Sequence, residues 1–176
     1  KDVHDLLLSS SKKIGFIQFD VRRFKIINDL YGEKFGDEVL FFIKDNLKAL
    51  CNDRQLYLNL RSDVFMVVTE YDSDKELLRF IKSIEERSAF FKDVKLQLAF
   101  GVYSVDDKSM EIRQMEDRAS MARTAAKENA ISNVIFYEEQ FKELLYTRKF
   151  IEENMHSAVI EKQFKMYLQP KYSISR

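Results

Sequence analysis

Two apolar runs, residues 56–60 and 64–70, are separated by only Arg61, Ser62 and Asp63. A link that short reverses the chain directly, so the runs read as neighbouring antiparallel strands of a hairpin. A sheet containing that pair cannot be wholly parallel, because parallel neighbours need a long crossover. On either side, strand-like and helix-like periods alternate. Residues 14–20 (IGFIQFD) read as a buried strand ending in a carboxylate, and 22–31 as a short helix. Val39, Leu40, Ile43, Leu47 and Leu50 recur at helical spacing through 36–50, as do Leu77, Leu78, Ile81 and Ile84 through 74–90. Residues 94–105 read as one long strand, 111–127 as a helix whose inner side is mainly Ala119, Ala122 and Ala126, and 133–137 as a short strand. The order β-α-α-β-β-α-β-α-β predicts an α/β (α+β) domain over 1–137, with a mixed central sheet of about five strands flanked by helices. A long amphipathic linker helix is expected over 138–164, and an extended segment around Pro170 follows it.

The 29 Lys and Arg residues are balanced by 29 Asp and Glu. That leaves no basic excess of the kind that coats nucleic acid or an anionic membrane, although a nucleotide pocket needs only a few local charges. No apolar run approaches the roughly 18 residues of a membrane span, and no signal peptide is visible. The single cysteine, Cys51, falls in a helical pattern and has no internal partner for a disulfide. These features lead us to expect a cytoplasmic protein whose parent could still carry an anchor elsewhere. The chain opens on Lys1-Asp2-Val3 without an initiator methionine, and we read it as a fragment.

Two acids stand out by position. Asp20 ends the first predicted strand, and Asp63 sits in the hairpin turn. If those strands are neighbours at the sheet centre, both carboxylates reach one edge. Mg²⁺ on a triphosphate takes one or two carboxylates in just such a place. On spacing alone, the alternative is that Asp20 caps the next helix and Asp63 is a turn residue.

Residues 20–40 read DVRRFKIINDLYGEKFGDEVL. This stretch resembles the GGDEF diguanylate cyclase family, whose pattern here is DxDxFKxINDxxGHxxGDxxL. Phe24, Lys25, Ile27, Asn28, Asp29, Gly32, Gly36, Asp37 and Leu40 match in register. Leu98-Ala-Phe-Gly101-Val, Asp117-Arg-Ala119 and residues 134–137 continue the likeness, so it covers about 14–137. The family's leading helix and its DxLTGLxN motif are largely missing. The resemblance implies a nucleotidyl-cyclase or polymerase-palm-like fold, GTP as ligand and Mg²⁺ as cofactor. Asp20, Asp63 and the backbone carbonyl of Val21 would hold the metal. Asn28 and Asp37 would hydrogen-bond guanine, whose donors and acceptors an amide plus a carboxylate can match. Otherwise Asn28 is a helix-terminal residue and Asp37 an N-cap. Cyclases of this family work across two facing domains, so the likeness also implies a homodimer.

The signature pentapeptide falls at Arg61-Ser62-Asp63-Val64-Phe65. Both glycines are gone, although glycine lets backbone approach phosphates cheaply, and Val64 replaces the fourth-position acid. Arg22 stands for the second acid of DxD. Thr124 stands for the late phosphate-contacting lysine, which Arg123 or Lys127 could replace by a local shift. The inhibitory RxxD would fall at Asn52 and Gln55, so cyclic di-GMP is not expected there. Residues 153–174 resemble the opening of EAL phosphodiesterase domains, with Tyr167, Gln169 and Pro170 matching well and Ala158, Ile160 and Phe164 loosely. Residues 165–176 are thus expected to be the first strand of an EAL domain. Together these readings predict a degenerate GGDEF module that lacks cyclase activity, binds GTP and regulates an adjoining phosphodiesterase. The alternatives are a weak cyclase using Asp20 and Asp63, or a structural, dimerising domain without nucleotide.

Overall fold

The hairpin is present: β2 (Gln55–Arg61) and β3 (Val64–Tyr71) pair antiparallel around Ser62 and Asp63. The computed structural model describes residues 2–163, and the chain divides into two units between Glu138 and Glu139. In the first unit, β1 (Lys13–Val21) is the central strand, antiparallel to β3 on one side and to β6 (Leu98–Ser104) on the other. With β7 (Val134–Phe136) parallel to β6, the five-stranded order is β2-β3-β1-β6-β7. The sheet is mixed, as the hairpin required.

Strand alternation sorts the core into two faces. Ile17, Phe19 and Val21 of β1 pack with α2 (Phe24–Tyr31), α3 (Glu33–Leu50) and α4 (Asp74–Arg87) through Ile27, Val39, Ile43, Leu77 and Ile81. Phe19 lies between Phe65 and Phe100, at centroid distances of 5.4 and 5.1 Å, so one aromatic row ties the three central strands. Each such pair adds about 0.5–1.5 kcal/mol beyond area burial. The opposite face, with Phe16 and Met66, is covered by α5 (Ile112–Glu128) and by α1 (Val3–Ser9). The buried Ala119, Ala122 and Ala126 let α5 approach closely. At Gly101 a β-carbon would lie 2.0 Å from the backbone nitrogen of Arg123 and 2.3 Å from the carbonyl oxygen of Ala119.

Three differences from the sequence reading matter most in the first unit. First, α1 was not expected; it is nucleated by a reciprocal cap between Asp2 and Asp5 and held by buried Leu6 and Leu7. Second, the expected strand over 94–105 is interrupted. Lys92, at φ 53°, turns β4 (Phe90–Phe91) back on β5 (Val94–Lys95), and only β6 joins the main sheet. Phe91 packs against Phe35 and Phe42 of α3, so tertiary burial decided a short apolar run that periodicity leaves ambiguous. Third, α3 begins at Glu33, which places Asp37 inside the helix, and Asn28 lies within α2. Neither has the terminal position allowed for above.

Cys51 follows the last residue of α3, where burial pushes its thiol up to about 11, so it stays a neutral, inert thiol. In the second unit α6 runs Glu139–Ile160 and stops four residues before the expected end. Lys162, at φ 54°, allows Gln163 to donate back to the carbonyl of Ala158 at 2.9 Å, a helix-terminating arrangement. The expected EAL-like strand lies outside the described residues. No helix among the described residues is long and apolar enough to cross a membrane.

Candidate functional site

Asp20 is the last but one residue of β1, directly between Val64 of β3 and Ala99 of β6. Its even-numbered position turns the side chain toward α5, where it is completely buried. Arg123 and Lys127, one helical turn apart on α5, converge on a single carboxylate oxygen. The Arg123 guanidinium donates to Oδ2, and Lys127 Nζ lies 2.6 Å from the same atom. Arg123 is almost as buried as its partner, with 7% of its surface exposed. Burying such a pair costs desolvation that its attraction only partly offsets, but once buried neither charge can lose its partner without a large penalty. Oδ1 of Asp20 and Nε of Arg123 have no hydrogen-bond partner. Val64, in the position of the family's fourth acid, sets methyl groups beside this carboxylate.

Arg22 does not join the cluster. Its guanidinium donates to the carbonyl oxygens of Ala126 (2.5 Å), Lys127 (3.1 Å) and Asn129 (3.2 Å), capping the C-terminal end of α5. The residue that replaces an acid of the family pattern therefore fixes the helix end that carries Lys127. Val21 closes β1 opposite Leu98 with its side chain in the core, so only its backbone is left to serve a ligand.

Beyond Asp20 a cleft of about 350 Å³ is lined by Arg23, Phe24, Lys25, Asn28, Ser62, Asp63 and Lys127. Arg23 (φ 57°) and Ser62 (φ 43°) both adopt left-handed backbone. Ser62 thus keeps the conformation that the pentapeptide's second glycine would adopt freely, at a cost of about 1–2 kcal/mol. The Asn59 amide steadies that turn by donating to the Ser62 carbonyl at 2.9 Å. Asn28 is seated over Gly36: a β-carbon there would lie 1.9 Å from its Oδ1, which is buried without a partner. Asp37, exposed on α3, lines a second concavity of about 330 Å³ with Leu40, Phe41, Lys44, Asn59 and Phe65. The structure therefore brings Asn28, Asp63 and Lys127 to one cleft and sets Asp37 in the next.

The sequence model "Diguanylate cyclase, GGDEF domain" matches residues 2–133. The chain belongs to the GGDEF family. The chain is 26% identical over 130 residues to a diguanylate cyclase of Vibrio cholerae, covering 72% of this chain and 40% of that protein. It is 21% identical over 173 residues to the cyclic di-GMP phosphodiesterase PdeR of Escherichia coli, covering 96% of this chain and 26% of that one. Thus it spans less than half the length of either relative. Among solved structures, the active GGEEF domain of a Vibrio cholerae diguanylate cyclase superposes with a TM-score of 0.64 at 26% identity, over 73% of this chain and 85% of that one. The five-stranded mixed sheet is the fold of that family.

This GGDEF domain departs from what Mg²⁺ needs. The carboxylate that would hold the ion already faces two cations, and its neighbour across the sheet is Val64. Asp20 and Asp63 together only balance Arg123 and Lys127, which leaves no net negative charge to hold a divalent cation, so the residues present do not fit a resident one. The engagement of Asp20 by α5 escaped the sequence reading. Its signal was there: Arg123 falls on the Ala119-Ala122-Ala126 side of the helix, and an arginine in a buried stripe requires an acid.

Proposed function

We propose that this chain is a non-catalytic GGDEF domain of a cyclic di-GMP signalling protein, which binds a guanine nucleotide and regulates an adjoining EAL phosphodiesterase. The capture of Asp20 by Arg123 and Lys127 carries the proposal. A cyclase must hold two GTP molecules with a hydroxyl aligned on a phosphate, and catalysis by position and charge is intolerant of a displaced metal site. Here the metal carboxylate is committed, its fourth-position companion is Val64, and Ser62 adds a side chain where phosphates would approach.

Nucleotide binding asks less. The cleft sets three cations, Arg23, Lys25 and Lys127, against the one carboxylate of Asp63. That balance suits phosphates. Asp37, beside Leu40, Phe41 and Phe65, offers a carboxylate next to apolar walls, which suits a purine with N–H donors. The phosphodiesterase partner is supported by the tail: the likeness to PdeR runs over 96% of the chain, and residues 153–174 resemble an EAL opening. A GTP ligand would also fit the expected cytoplasmic location.

Titration calorimetry with GTP and ATP tests the reading. GTP is expected to bind at least about tenfold more tightly, the worth of one well-made polar contact, and Asp37→Ala is expected to erase that preference. Equal weak binding of both nucleotides, untouched by the substitution, would instead mark a structural domain.

A further inference from the structure

We infer that the site takes the phosphates of its nucleotide without a divalent cation, the positive charge being built into α5 as Lys127 backed by Arg123. The inference rests on the nucleotide-binding reading above and changes its cofactor. A divalent ion at Asp20 would do two things: neutralise the buried carboxylate and present positive charge to phosphate oxygens. Both tasks already have owners. Arg123 and Lys127 meet on Oδ2 of Asp20, so the buried acid is more than neutralised without an ion.

Lys127 alone spans the two environments. Its ammonium is 2.6 Å from Asp20, yet its side chain is 38% exposed and lines the cleft with Arg23 and Lys25. An ammonium has three N–H donors, so a bond to Asp20 leaves donors for a phosphate. The carboxylate orients the ammonium much as a second shell orients a metal ligand. The backbone that carries Arg123 is seated hard against the sheet, its nitrogen 2.0 Å from where a β-carbon on Gly101 would be, and the side chain is 8% exposed, so leaving Asp20 would strand a buried guanidinium. Arg22, gripping the carbonyls of Ala126, Lys127 and Asn129, holds the same helix end in register. Val64 removes the second acid that an incoming cation would need. The ligand class is a guanine nucleoside di- or triphosphate, bound with its phosphates free of metal.

The test is calorimetry on the full chain with GTP in EDTA and again in excess Mg²⁺. Affinities within about threefold of each other are expected. Lys127→Gln should lose about tenfold in EDTA, the effect of one charge-assisted hydrogen bond at a half-exposed site, whereas Lys127→Arg should retain most of the binding. Binding that appears only with Mg²⁺ would overturn the inference and leave the nucleotide-binding reading standing. No binding in either buffer would overturn both. Binding in EDTA that Lys127→Gln leaves unchanged would overturn the role given to Lys127.

Discussion

Asp20→Ala is expected to lower the free energy of unfolding by about 3–5 kcal/mol, the cost of stranding a buried charge by removing its partner. Arg123, only 7% exposed, would be left in the interior without a counter-charge, while Lys127 could turn to solvent. Urea unfolding measures this as a lower midpoint at unchanged slope. The double variant Asp20→Ala with Arg123→Met should recover much of the loss, since an apolar pair of similar volume often replaces a buried ion pair at little cost. A carboxylate waiting for a metal behaves otherwise: its removal relieves repulsion or does nothing. A loss below about 1 kcal/mol would therefore return Asp20 to the role of a metal ligand.

Gly101→Ala comes next in size. The added carbon would meet backbone of α5, atoms that cannot rotate away, at 2.0 Å from Arg123 and 2.3 Å from Ala119. The helix has to lift off β6 and β1. We expect a loss of about 3 kcal/mol, at the upper end of ordinary overpacking, again read from the urea midpoint. Because α5 carries both cations of the Asp20 cluster, GTP binding should weaken in the same variant even under conditions where it is fully folded. Stability within about 0.5 kcal/mol of the parent would show that α5 has slack against the sheet.

The sheet was legible because its constraints are local. A three-residue link fixes a hairpin, and the near-continuous apolar runs 14–20 and 64–70 mark strands buried on both faces. The turn at Lys92 and the break between Lys95 and Leu98 were not legible, since Phe91 and Val94 are apolar in a strand or in a hairpin alike, and only the packing of Phe91 on Phe35 and Phe42 decides. At the site, the pattern from Asp20 to Leu40 pointed to Asn28 and Asp37, which line neighbouring concavities, and to Asp20 and Val21, which line neither. What it could not supply was the partner of Asp20. That contact joins residues 103 positions apart and depends on how closely Gly101 lets α5 approach. Arg22 shows the same limit: its identity signalled a lost acid, but its task at the end of α5 emerges only when the helix is in place.

We propose that this GGDEF domain keeps the fold of a cyclase without the reaction. This is tested most directly by incubating the chain with GTP and Mg²⁺ and separating the products chromatographically. No cyclic di-GMP above the protein-free control is expected at any protein concentration. Steady formation of cyclic di-GMP that disappears with Asp63→Ala would contradict the account.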